Sequence, residues 1–227
     1  MLVLFGICGL SSYFVMVDER GPKTGATGAA PVPTTLARDI SSRAADPAPL
    51  TVKEVFPGDQ IVIESEESAY QVLKTQGAQD CGLAASGQLG ALLKELGCNQ
   101  FVRGTVRSPT GSYLATAGIV NLADAAGADS ARQRIKPIVD GEDGRFLGMA
   151  AGQSTEPVTR PSAQAGWHVR GHFLVYCVVA RVDGETIGAD DPFARQVLSD
   201  MIEAYLRGKV LERRATVPAS PTGEPSN

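Results

Sequence analysis

An α+β fold is predicted by three features of this 227-residue sequence. Strand-like and helix-like periodicities alternate along it, its 43% hydrophobic content suits one ordinary core, and a long apolar stripe at helical spacing lies near the C terminus. YQVLKTQ at 70–76 has strand composition, and Leu89, Leu92, Leu93 and Leu96 then recur at helical spacing between a capping Ser86 and Gly97. QFVRGTVRS at 100–108 and SYLATAGIVNL at 112–122 flank Pro109, Thr110 and Gly111, a hairpin signal. Asp124 caps a second helix with Ala125, Ala128, Ala131 and Ile135 on one face and Pro137 as its stop, and RFLGMAA at 145–151 reads as a fourth strand.

The order βαββαβ is that of a ferredoxin-like sandwich, two helices covering one face of an antiparallel sheet. The run from 166 to 184 extends it by a fifth strand. Asp190, Asp191 and Pro192 start a long C-terminal amphipathic helix with Phe193, Val197, Leu198, Met201, Ile202, Tyr205 and Leu206 on its apolar stripe, and Gly208 near its end.

The folded domain is thus expected over 51–215. Residues 1–17, MLVLFGICGLSSYFVMV, carry no charge, and as a helix they span roughly 25 Å, marginal against a hydrocarbon core of about 30 Å. They read as an uncleaved transmembrane signal-anchor, a cleaved signal peptide being the alternative. Residues 18–50, rich in Ala, Pro and Thr, read as a disordered tether, and 216–227 as a disordered tail. The loop 152–166 is expected to be disordered too. This arrangement places a single-pass protein in the plasma membrane with its C-terminal domain outside the cytoplasm.

A net charge of −4 gives no general case for nucleic acid as a partner. The four cysteines include no CxxC pair, and no GxGxxG, GxxxxGK[ST], HExxH or GxSxG motif occurs, so no catalytic residue, cofactor or metal is assigned. The acids of GEDGR (141–145) and DGETIGADD (183–191) lack the spacing of a calcium loop and read as turn and cap chemistry.

The apolar N-terminal segment, the Ala/Pro/Thr tether, DCGLAA, the Gly97–Cys98 pair and GWHVRGHFLVY together resemble membrane-anchored extracytoplasmic proteins of unknown function from high-GC actinobacteria. The resemblance covers most of the chain and implies a location, not an activity.

Cys81 and Cys98 flank the first predicted helix in a part of the chain expected to meet oxidising conditions, and their preferred reading is a disulfide, the alternative being two separate thiols. GWHVRGHFLVYCVVARVDG holds both histidines of the chain and its one tryptophan. On a helix, His168 and His172 would share one face, but Gly171 and the β-branched and aromatic residues beyond it favour a strand. There the two histidines lie roughly 13 Å apart with Arg170 between them on the same face, a poor metal site. From Phe173 onward both alternating faces are apolar, as in an interior strand, leaving Cys177 a buried thiol on the face opposite His172. The second sheet face then needs a cover, either the 51–63 segment or a second protomer, which makes homodimerisation through the sheet an expectation.

Two functional readings follow. The first is a non-enzymatic, membrane-tethered domain that recognises a protein or envelope ligand. The second is a small-molecule binder or enzyme, with an anion site on the strand face formed by His168, Arg170 and His172 beside Trp167.

Overall fold

A computed structural model of the chain describes residues 37–63, 65, 69–152 and 154–217. The expected anchor, most of the expected tether and the tail beyond Val217 lie outside the described residues. The elements are α1 (Val52–Val55), β1 (Gln60–Ile61), β2 (Tyr70–Ala78), β3 (Ala85–Ser86), α2 (Gly87–Glu95), β4 (Gln100–Arg107), β5 (Tyr113–Asn121), α3 (Ala125–Asp140), β6 (Gly144–Phe146), β7 (Gln164–Arg170), β8 (Phe173–Arg181), α4 (Pro192–Ser199), a π-helical stretch (Asp200–Leu211) and α5 (Glu212–Thr216). The α+β class holds. A six-stranded sheet runs β1-β2-β4-β5-β8-β7, and β3 pairs with β6 separately.

The ferredoxin-like order does not hold. That fold places parallel strands on either side of each helix, whereas β2 and β4, which flank α2, are antiparallel neighbours, as are β5 and β8 around α3. Length is one reason. The nine residues of α2 rise about 14 Å, against about 30 Å for the nine residues of β2. A helix that short cannot return the chain to the far end of the sheet, so the chain leaves and re-enters at one end, where Ala78 pairs with Phe101. The Cys81–Cys98 disulfide closes this excursion, with Cα atoms 6.3 Å apart.

Helix α2 buries Leu89, Leu92 and Leu93 against the sheet, although the Ser86 side chain makes no capping bond. Asp124 caps α3 by accepting from the Gly127 N–H, and Ala128, Ala131 and Ile135 are buried. Pro137 does not stop α3, which runs on to Asp140. A proline removes only one helical hydrogen bond, and this close to the C-terminal end the remaining turn still forms. The strand expected at 145–151 shortens to β6 and leaves the main sheet. The loop after it is not free either: a 3-10 turn over Glu156–Thr159 buries Val158 completely. The Val158 carbonyl sits so close to Gly148 that a Cβ there would lie 2.0 Å from it.

The opposite sheet face is covered by the chain itself. Residues 40–56 and the C-terminal helix bury Ile40, Leu50, Val55 and Phe56 with Met201, Tyr205 and Leu206 in one cluster. Among the described residues the ordered segment therefore begins before residue 40, not at 51, and the chain's own segments pack on both faces of the sheet. Strand-like hydrogen bonds hold the segment: Arg43 N–H donates to Ala123 O, and Ala125 N–H to Ser41 O.

Asp191 caps the C-terminal helix through the N–H groups of Phe193 and Ala194. Phe193 falls off the expected stripe and is 64% exposed, and Gly208 does not end the helix. The buried pairs Met201–Ile202, Tyr205–Leu206 and Val210–Leu211 step by four and then five positions. That step is wider than the α-helical period of about 3.6 and matches i→i+5 bonding. No helix among the described residues is long and apolar enough to cross a membrane.

Candidate functional site

The run expected to be one strand is a hairpin. Arg170 pairs with Phe173 across a two-residue turn, and Gly171 takes φ +56° at the position a type II′ turn reserves for glycine. A Cβ at Gly171 would also lie 2.0 Å from the Ile40 carbonyl, so the turn packs directly on the N-terminal segment. The reversal scatters the four residues expected to form a site. Trp167 faces the α2/α3 layer, where Phe146 stacks on Tyr176 at 4.7 Å and approaches Trp167 at 6.0 Å. His168 and Arg170 face the other layer, and Arg170 is ion-paired with Glu212. His172 is fully buried in the turn. The three cationic groups do not converge on one surface.

His172 is a structural residue. Its backbone N–H and its Nδ1 both donate to the Ile40 carbonyl at 2.9 Å, which puts the proton of the neutral ring on Nδ1 and leaves a buried Nε2 without a partner. Burial lowers its pKa below the usual 6.5, and Arg214 and Arg43 act in the same direction, against the Ile40 hydrogen bond and Asp46. Beside it, Asp46 holds Arg214 at 2.6 and 3.0 Å and also pairs with Arg38, while Arg214 reaches Glu54 at 2.6 Å. Cys177, the free cysteine among the described residues, is buried, and burial pushes its thiol pKa up. A thiol in that state is a poor nucleophile.

A second polar cluster lies under the α2/α3 layer. Arg103, nearly buried and without an acidic partner among the described residues, donates to Gln76 Oε1 and to the carbonyls of Leu83 and Leu147. It clamps the β3–β6 pair to the main sheet. The Tyr176 hydroxyl lies beside this guanidinium but meets no partner at hydrogen-bond geometry, and burial pushes its pKa up to about 12.

A concavity lies apart from both clusters. A cleft of about 980 Å³ opens between the C-terminal end of α3, the β3–β6 pair and the first residues of β7. Phe146, Val178, Ala163 and Ala165 supply an apolar lining. Its charged lining is balanced, three cations (Lys136, Arg145, Arg160) against three carboxylates (Asp140, Glu142, Asp143). Lys136 and Asp140 satisfy one another at 2.6 Å, whereas among the described residues no ion pair engages Arg145 or Arg160. No histidine or cysteine lines the cleft, and no group of three His, Cys, Asp or Glu among the described residues is arranged to hold a metal.

The residues of this cleft were not legible as a site. Those of 141–145 carry turn signals, and Arg160 lies in a Pro/Ser/Thr-rich loop. Periodicity says nothing of what a loop leans against.

Fold and cleft together define a class: an antiparallel sheet covered on both faces, braced by one disulfide, with a lateral polar cleft. Comparison with protein-family models, with curated proteins and with solved structures finds no match to this chain.

Proposed function

We propose that this chain is a non-catalytic binding domain that works outside the cytoplasm, held at the plasma membrane by residues 1–17, and that the cleft beside β7 receives its ligand. The observation that carries the reading is the cleft: its volume falls in the range of ligand sites, about 300–1,000 Å³, and it joins an apolar floor to polar walls. The Cys81–Cys98 disulfide supports the location, because such bonds persist in oxidising compartments and are rare in the cytosol. The binding surface proposed is the cleft and not the strand face of His168, Arg170 and His172, since His172 is buried and Arg170 is engaged by Glu212.

The test uses the full chain in intact cells, with a photo-crosslinking residue at the exposed cleft position Ala189 and, as control, at Lys53 on the other side of the sheet. Adducts specific to position 189 are expected. Equal labelling at both positions, or none at either, would remove the cleft from consideration. Protection of residues 38–217 from external protease in spheroplasts would overturn the location.

A further inference from the structure

We infer that the ligand of the cleft is an extended polypeptide segment that adds as a seventh strand to the outer edge of β7; this rests on the cleft being the binding site. Strand β7 ends the sheet, and β8 is its sole strand neighbour among the described residues. In a two-residue hairpin the flanking pair Arg170–Phe173 exchanges backbone hydrogen bonds, and alternation then turns the N–H and C=O groups of Arg170, His168, Gly166 and Gln164 toward β8. Those of Val169, Trp167 and Ala165 point outward.

The outward groups are not equivalent. Val169 N–H donates to Nδ1 of the neighbouring His168 at 2.8 Å, which closes the edge at that end. At the other end the Gln164 side chain is tied to the carbonyls of Ile187 and Gly188. Between these stops, no hydrogen bond engages the outward backbone groups of Ala165 and Trp167 among the described residues, leaving two donors and two acceptors in strand spacing. Ala165 lines the cleft itself, so the open edge and the cavity are continuous.

Peptide is favoured over a small anion by the charge of the walls. Three cations against three carboxylates leave no net field to attract a phosphate or carboxylate ligand, whereas a strand is neutral along its backbone and tolerates both signs in its side chains. On a strand paired with β7, alternate residues face the α2/α3 layer. The residue opposite Ala165 then enters the cleft over Phe146 and Val178, and its chemistry is apolar.

The probe is a phage-displayed library of random linear peptides, selected on the oxidised domain spanning residues 38–217 within the full chain. Selected peptides are expected to carry β-branched or aromatic residues at alternate positions and to slow amide exchange at Ala165 and Trp167. Ala165→Pro removes one outward donor without touching the β7–β8 ladder, and is expected to weaken binding by about tenfold or more. Ala165→Leu keeps the donor but fills the cleft, and is expected to weaken binding to a similar extent. Melting temperature confirms that each variant folds; if the proline variant does not, the leucine variant and the exchange data decide. Peptides that bind both variants unchanged, or a selection that enriches none, would overturn the inference. A small-molecule adduct at position 189 in cells would overturn it while leaving the cleft as the binding site, so the two failures are distinct.

Discussion

Arg214 and Asp46, 168 positions apart, are joined by two hydrogen bonds of 2.6 and 3.0 Å in a site closed to solvent. The pair ties the C-terminal helix to the segment that leads in from the N terminus. Arg38 joins from that segment and Glu54 from α1. Removing one member of such a pair strands a buried charge. Asp46→Ala is expected to cost about 3–5 kcal/mol in denaturant unfolding, and a combined Asp46→Leu/Arg214→Met change to cost clearly less than the sum of the single changes. Additive costs would mean that the two residues act independently.

The disulfide closes a separation of 17 residues around α2. In the chain-entropy treatment a loop of that size contributes about 3 kcal/mol, so Cys81→Ser/Cys98→Ser is expected to lower stability by about that amount. Intact mass after alkylation without reductant is the direct check: free alkylation of both thiols in protein taken from cells would show that the bond does not form.

Arg103 and Tyr176 make opposite predictions although they are neighbours. Arg103→Met abandons Gln76 and two backbone carbonyls, and is expected to cost about 2–4 kcal/mol. Tyr176→Phe deletes a buried hydroxyl with no hydrogen-bond partner and is expected to change stability by less than about 0.5 kcal/mol in either direction. A large loss on Tyr176→Phe would mean that Arg103 bonds to the hydroxyl in solution.

His172 supplies a pH dependence. Its folded pKa lies below the unfolded value of 6.5. Below 6.5 the unfolded chain therefore takes up a proton that the folded chain resists, and stability is present above that pH and lost as pH falls toward the folded pKa. The facing charges are Asp46, Arg214 and Arg43, and Asp39 lies farther out. Urea unfolding between pH 7.5 and 5 is expected to show this loss in the native chain (an experimental window of about 2.5 units). His172→Asn, which keeps a donor but does not titrate, is expected to flatten the slope over the same range; an unchanged slope would assign it to other groups.

Much of the local structure was legible. The Asp124 and Asp191 caps, the β4–β5 hairpin, the two-sided burial of β8 and the disulfide all follow from signals within one element or its immediate neighbours. The errors fall where one segment leans on another. Residues 40–50 have the composition of a tether, yet order because Ile40 and Leu50 enter a core built by the C-terminal helix and Asp46 meets Arg214 there. The turn at Gly171–His172 was hidden within a run of strand formers, and it turns one expected strand into two.

The sequence by itself determined the element types, their caps and the apolar faces, because these depend on side-chain spacing over a few residues. Strand order, the covering of the second sheet face, the burial of His172 and the joining of Ala165, Phe146 and Arg160 around one cleft were decided only by tertiary structure. Those outcomes rest on contacts between residues distant in sequence, and no local periodicity encodes which distant surface a segment meets.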